Sequence, residues 1–189
     1  EAQKSNAILL WIHGFAEHSG RYWRAADWLN RKGFAVSAID MRGHGKSTGA
    51  RGHVARFDDY TDDVQALVEF VLSERRSGPR VLVGHSQGGL IAARYLETHP
   101  SHVFDACVMI SPLFGFGLKI PLWKSLLAKI LGQIRPGFSL PSDLEADRLS
   151  HDPEEVARYE TDPLVFHTAT TGWFLETLAA QKHAIRDAK

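Results

Sequence analysis

The sequence predicts an α/β fold: a mostly parallel sheet with helices on both faces and a helical cap inserted over its carboxyl edge. Three observations carry this reading. Short apolar, β-branched runs alternate with stretches of helical periodicity. The connections between them are brief and marked by Gly or Pro. After Ser111-Pro112 the strand-like runs stop and a long amphipathic helical pattern begins. At 189 residues, 44% hydrophobic and 23% charged, the chain has the size and balance of one globular domain with a sizeable core.

The first element is a buried strand from Ala7 to Ile12, ending in His13-Gly14. Tyr22 to Arg31 has helical spacing, with Trp23, Ala26 and Leu29 on one face, and Gly33 ends it. Phe34 to Ile39 reads as the second strand, and Asp40 to Gly52 as a Gly-rich loop. A helix from Asp58 carries the stripe Tyr60, Val64, Leu67, Val68, Val71 and Leu72, with Asp58-Asp59 at its positive end. Gly78-Pro79 breaks it. A strand over 80–84 leads into a helix that runs to about His99-Pro100, and Ala106 to Ile110 is the fourth strand.

These elements assign residues 1–112 to the core. Residues 113–172 form the cap, with Trp123, Leu126, Leu127, Ile130, Leu131 and Ile134 at helical spacing, and 173–189 begin the return to the core. The cap helix bears only basic charges, Lys119, Lys124, Lys129 and Arg135. Its primary reading is a lid over the edge where open α/β sheets bind ligands. Contact with a membrane surface is a second use for the same basic, amphipathic helix.

The densest information lies at Gly84-His85-Ser86-Gln87-Gly88, which fits G-x-S-x-G between the run Val81-Leu82-Val83 and a helix-forming stretch from Leu90 to Glu97. A serine on such a strand-to-helix turn is lifted clear of the sheet edge, as a nucleophile. Acyl transfer also needs two amides aimed at the developing oxyanion. One is the N–H after the nucleophile, Gln87. The other comes from the loop after the first strand, Phe15 of His13-Gly14-Phe15.

Other chemistries are excluded. Lys+Arg and Asp+Glu both number 22, so no net field recruits nucleic acid. Ten histidines show no metal-ligand spacing, and neither metal nor cofactor is expected. Cys107 sits in an apolar strand and reads as a buried small hydrophobe. Gly45-Lys46-Ser47 is not a phosphate-binding loop, because Asp40 stands where that motif needs its first glycine. No run of about 18 apolar residues is present, so no membrane span is expected. No leader is visible, although the chain starts at Glu1 and a leader removed earlier is compatible with it. The expected compartment is the cytoplasm, with peripheral membrane contact as an addition.

Five segments carry a family resemblance: His13-Gly14-Phe15-Ala16-Glu17-His18-Ser19-Gly20-Arg21-Tyr22, Asp40 to Ser47, Gly84 to Gly89, Ile110 to Leu113, and Tyr159-Glu160-Thr161-Asp162-Pro163-Leu164. Together, from about residue 7 to about 180, they resemble the monoacylglycerol lipase/lysophospholipase family of α/β-hydrolases. The resemblance implies a serine hydrolase acting on monoacylglycerols or similar single-chain lipid esters. It further implies that Glu17, Arg21, His85 and Tyr159 line the polar end of the site. The residues alone leave other roles open: a helix-start ion pair for Glu17 and Arg21, a buttress for His85, cap packing for Tyr159. The loop from Arg42 to Ser47 reads as an ordered turn near the site.

A serine nucleophile needs a general base oriented by a carboxylate. The later candidates are Asp152 or Asp162 with His167 or His183. Asp162-Pro163 reads as a turn before a helix and both histidines as helical, so no triad within the chain is expected. The family pattern places two strands before residue 7, and further strands with the acid and base after residue 189, which predicts a trimmed piece of a larger enzyme with exposed sheet edges and little turnover alone. An esterase, thioesterase or peptidase would keep the same elbow, but the Glu17 to Tyr22 loop and apolar cap favour lipid esters. An epoxide hydrolase or dehalogenase would need aspartate at position 86. A non-catalytic binder of apolar ligands is the reading from a different class.

Overall fold

The computed structural model describes residues 5–74, 77–99, 103–116, 130–132, 134–142 and 146–188. Strand β1 (Ile8–Ile12) is buried along its whole length, as expected for the interior of a parallel sheet whose two faces are both covered. Around it lie β2 (Ala35–Ile39), β3 (Arg80–His85) and β4 (Ala106–Ile110), in the order β2-β1-β3-β4, all parallel. The chain leaves β1 to one side for β2 and to the other for β3. That switch opens the crevice where α/β sheets place ligands. Register then sets the site: Ile12 pairs with Gly84, so the loops leaving β1 and β3 emerge side by side.

The strand alternation feeds two cores. Ile8, Leu10 and Ile12 face the larger one, under helices α2 (Asp58–Ser73) and α3 (Gln87–Thr98). The same core includes Trp173, Ala180 and Ala184 from a later helix, Thr171–Asp187, which contacts α3. Ala7, Leu9 and Trp11 face the smaller one under α1 (Trp23–Arg31).

Helix α1 is rotated from the predicted phase. Trp23 is 59% exposed, and the packed face is Tyr22, Ala25 and Leu29. The reason lies just before the helix: a 3-10 turn, Ser19–Tyr22, delivers the Tyr22 hydroxyl inward to Glu17, and a step of about 100° per residue then turns Trp23 outward. In α2, Leu72 is 45% exposed and Thr61 is buried in the stripe instead. Thr61 loses nothing by burial because its hydroxyl donates to the Asp58 carbonyl at 2.7 Å.

The region after β4 departs further from expectation. It contains a short antiparallel pair, β5 (Ser139–Pro141) and β6 (Thr168–Thr170), where no strand was expected. Helix α4 (Pro153–Thr161) is capped by Asp152, whose side chain accepts from Glu154 N–H, with Pro153 in the first turn. Asp162-Pro163 therefore follows a helix rather than preceding one, and His167 lies in extended chain before β6. His183 is helical as read, in the helix Thr171–Asp187, here α5.

Trp123, Leu126, Leu127, Lys119, Lys124 and Lys129 of the expected cap helix lie outside the described residues. Of the rest, Ile130, Leu131 and Ile134 are helical, and Ile134 is exposed. Cys107 is half-buried rather than buried. It lies against the larger core, and burial pushes its thiol up. Strand β4 leaves Val108, Met109 and Ile110 exposed. No helix among the described residues is long and apolar enough to cross a membrane.

Candidate active site

Ser86 joins β3 to α3 with φ 52° and ψ −117°, a conformation that favours glycine. Neighbouring backbone holds it there. Its N–H donates to the Ile110 carbonyl at 2.9 Å, and its own carbonyl accepts from Gly89 and Leu113 N–H at 3.0 and 2.9 Å. Gly88 lets α3 descend onto the end of β1, where a Cβ would collide with the carbonyl oxygens of Ile12 and His13.

The loop after β1 abuts this elbow. A Cβ on Gly14 would come within 3.3 Å of the Ser86 Cβ and 2.6 Å of a Glu17 carboxylate oxygen. His13 shapes the loop. Met41 N–H donates to His13 Nε2 at 2.9 Å, which leaves the proton on Nδ1, 2.7 Å from the Gly14 carbonyl. Burial lowers the His13 pKa and keeps this ring neutral. Among the described residues, neither Phe15 N–H nor Gln87 N–H donates to another protein group. Gln87 opens α3, so its amide has no partner within the helix and shares the positive end of the helix dipole. Two unengaged amides therefore flank Ser86.

Glu17 ties the polar side together. Its Oε1 accepts from Gly14 N–H (2.8 Å), the Tyr22 hydroxyl (2.5 Å) and His85 Nδ1–H (3.1 Å), while Oε2 accepts from Arg21 Nε–H (3.2 Å). Burial pushes the carboxyl pKa up, but the bonds from His85, Tyr22 and Gly14 outweigh it and bring it to about 2. The Tyr22 oxygen also accepts from His85 Nδ1 at 2.7 Å. Burial and the Glu17 charge raise the Tyr22 pKa, so the phenol keeps the proton it donates.

Arg21 uses Nε for this ion pair and lays its guanidinium 4.8 Å from the centroid of the Tyr159 ring. Tyr159 is buried beside Ala146, Val156 and Val165, and its hydroxyl has no partner among the described residues. Two contacts bind the segment after α4 to the same loop: Phe166 N–H to the Ala16 carbonyl (3.1 Å) and His18 Nε2 to Asp162 (2.8 Å).

The structure thus links Glu17, Arg21, His85 and Tyr159 by contacts beside the elbow that carries Ser86 and Gln87 and the loop that carries Phe15. The structural alternatives hold as well: Glu17 and Arg21 do form an ion pair, His85 bonds Glu17 and Tyr22 beside the elbow, and Tyr159 packs among Ala146, Val156 and Val165. The loop after β2 is an ordered turn. Asp40 accepts from Ser19 N–H, Ser19 hydroxyl and Lys46 N–H, and Arg42 pairs with Asp63 at 2.7 Å. His44 is buried beneath it, and burial together with His13 lowers its pKa to about 3. Among the described residues no imidazole hydrogen-bonds the Ser86 hydroxyl. Asp152 caps α4, and Asp162 holds the imidazole of His18, whose other nitrogen accepts from Gly20 N–H rather than meeting Ser86.

The family model described as serine aminopeptidase, S33 (Hydrolase_4), matches residues 3–189. The chain belongs to this family of α/β-hydrolases. It is 36% identical over 160 residues to the monoacylglycerol lipase of Mycolicibacterium smegmatis, covering 85% of this chain and 56% of that one. It is 28% identical to phospholipase YtpA of Bacillus subtilis over 98% of this chain and 71% of that one. The crystal structure of the Paleococcus ferrophilus monoacylglycerol lipase superposes with a TM-score of 0.86 at 35% identity, across 99% of this chain and 70% of that one. This chain is therefore a monoacylglycerol lipase-like α/β-hydrolase that spans a little over half the length of its mycobacterial relative.

Two residues that contact this hydrolase's candidate site residues are not singled out by the sequence. Tyr22 reads as the start of a helix and the end of the Glu17 loop, whereas its hydroxyl completes the Glu17 and His85 cluster. Trp173 was assigned to a return segment, whereas it touches Phe15 and Gln87. The H-S-G-R-Y spacing after Glu17 was a usable signal for Tyr22. Trp173 had none, because its partners lie 158 and 86 positions away in sequence.

Proposed function

We propose that Ser86 is the nucleophile of a serine hydrolase that cleaves carboxylic esters of lipids, either monoacylglycerols or lysophospholipids. The observation that carries the reading is the strained Ser86 backbone beside two unengaged amides, Phe15 and Gln87. Such strain persists only where surrounding structure holds it, and it clusters at reacting groups. In the proposed reaction Ser86 Oγ bonds to the ester carbonyl carbon. The carbonyl electron pair moves to oxygen, where the two amides and the α3 N-terminus stabilise it. Collapse expels the alcohol with a proton and leaves an acyl ester on Ser86, which water hydrolyses in a second passage through the same hole. The serine proton passes to a base that is not among the described neighbours of Ser86.

Around the polar end, Arg21, His85 and the Tyr159 hydroxyl face the alcohol portion, with Glu17 fixing their positions. The acyl chain lies under the cap, taken as residues 113–172 over the core of residues 1–112. The basic face of the cap rests on the membrane surface that supplies the lipid, and the protein is peripheral on the cytoplasmic side. The relatives named as monoacylglycerol lipases support the ester class, and the phospholipase keeps the lysophospholipid head group within it.

A fluorophosphonate probe on the full-length protein tests this. Labelling of Ser86, abolished in Ser86→Ala, with hydrolysis of monoacylglycerol in preference to an aminoacyl anilide, is the expected result. Labelling with preference for the anilide would move the activity to the peptidase named in the family description. Absence of labelling would leave a non-catalytic binder of apolar ligands.

A further inference from the structure

The two amides assigned to the oxyanion hole come from different loops, one after β1 and one after β3. They stabilise a single oxygen only if both sit about 3 Å from it. Something must hold those loops in register with each other. Resting on the hydrolase reading above, we infer that Trp173 is the positioning residue for both donors.

One side chain touches both carriers. The Trp173 indole stacks on the Phe15 ring, with centroids 3.8 Å apart and planes 26° from parallel. Its Nε1–H donates to the Gln87 side-chain carbonyl at 3.0 Å. All three side chains are buried, so neither contact is diluted by solvent. Phe15 is boxed on its other sides by Phe166 and His44, edge-on at 5.4 and 5.9 Å, so the stack closes a cage around its ring. Gln87 is the first residue of α3, where no intrahelical bond fixes its amide. Anchoring its side chain to Trp173 ties that end of the helix down.

Trp173 is itself fixed from the far side of the site. Thr170 caps α5 by accepting Trp173 N–H at 3.1 Å, and the Thr170 N–H and hydroxyl both donate to the Gly52 carbonyl, at 2.9 and 3.0 Å. His53 Nδ1 adds a third bond to the Thr170 hydroxyl. The loop after β2, the start of α5 and the two oxyanion loops are thus joined through Thr170 and Trp173.

The test uses the full-length protein and a soluble monoacyl ester, with active sites counted by fluorophosphonate titration. Trp173→Leu removes both contacts, and kcat per labelled site should fall roughly ten- to a hundredfold, below the cost of deleting a donor outright. KM should stay within about twofold, because substrate binding precedes the charge that the hole serves. Inhibition by a trifluoromethyl ketone, which forms an oxyanion on Ser86, should weaken in parallel with kcat. Trp173→Phe keeps the stack and loses only the bond to Gln87, and should fall several-fold. Gln87→Leu, which deletes the acceptor, should match it, and the double variant should be no worse than either.

An unchanged kcat per labelled site with a lowered Tm would make Trp173 a packing residue only and overturn the assignment. A rise in KM at constant kcat would overturn it too. If Trp173→Leu does not fold, Trp173→Phe and Gln87→Leu decide alone, and additive losses in the double variant refute the link. A wild-type protein that neither labels nor hydrolyses esters overturns the hydrolase reading itself, and this assignment with it.

Discussion

Glu17→Gln tests the hub of the polar side through stability, independently of any substrate. The carboxylate collects four donors, from Gly14, Tyr22, His85 and Arg21. An isosteric amide offers one oxygen to them and turns an NH2 toward the rest, so donors face donors in a buried site. A carboxyl brought from 4.5 to about 2 holds its proton more than two decades more weakly. That corresponds to about 3 kcal/mol of folding stability, at roughly 1.4 kcal/mol per decade. Because folding lowers this pKa, the contribution is complete above about pH 5 and is lost as pH falls through 4.5 toward 2. Urea unfolding of the full-length protein, followed by tryptophan fluorescence, should put Glu17→Gln about 3 kcal/mol below wild type at pH 7. The gap should close on acidification toward pH 2. Trp11, whose ring lies 5.0 Å from Tyr22, reports on the cluster directly. Equal stability at pH 7, or a gap that stays constant with pH, would refute the account of Glu17.

Two further changes probe the elbow. Ser86→Gly relieves a φ of 52° and should raise stability by about 1–2 kcal/mol while abolishing probe labelling; a Tm at or below wild type would show that the turn is not strained. Gly88→Ala drives a methyl into the carbonyl oxygens of Ile12 and His13, backbone atoms of the central strand that cannot swing aside, and should destabilise by more than about 3 kcal/mol in denaturant unfolding. A loss under about 1 kcal/mol would mean that α3 shifts freely on the sheet.

The elbow was legible because its determinants are local: a β-branched strand, two glycines and a helix start within a dozen residues. The two amides proposed as oxyanion donors, Phe15 and Gln87, come from loops whose order is written in the sequence, and strand register sets those loops side by side. What sequence did not carry was helix phase and long-range contact. The face of α1 was set by one hydroxyl on Tyr22, a buried polar bond that outweighs the apolar count favouring Trp23. Strands β5 and β6 have three residues each, Ser-Leu-Pro and Thr-Ala-Thr, too short for their alternation to stand out from a loop. Asp162 does begin a turn, as its pairing with Pro163 suggests, but the turn follows α4, and a histidine 144 positions earlier engages the side chain. Each miss is a pairing between distant segments, decided by the fold rather than by either segment.

The same distinction explains why a buried carboxylate is tolerable beside the proposed oxyanion hole. A second negative charge near a developing one opposes the reaction, and low dielectric strengthens that opposition. Glu17 touches Gly14, the residue before the Phe15 donor, so its placement looks adverse. Its four donors change the sign of that argument. The Arg21 guanidinium neutralises one oxygen, while Gly14 N–H, the Tyr22 hydroxyl and His85 saturate the other. What remains is a rigid link among the loop after β1, the turn before α1 and the end of β3. Among the described residues the Phe15 and Gln87 amides bear no such bonds, which in the proposed reaction leaves their full dipoles for the substrate oxygen. The charge on Glu17 is spent on geometry, and the two neutral amides are left to do the electrostatics.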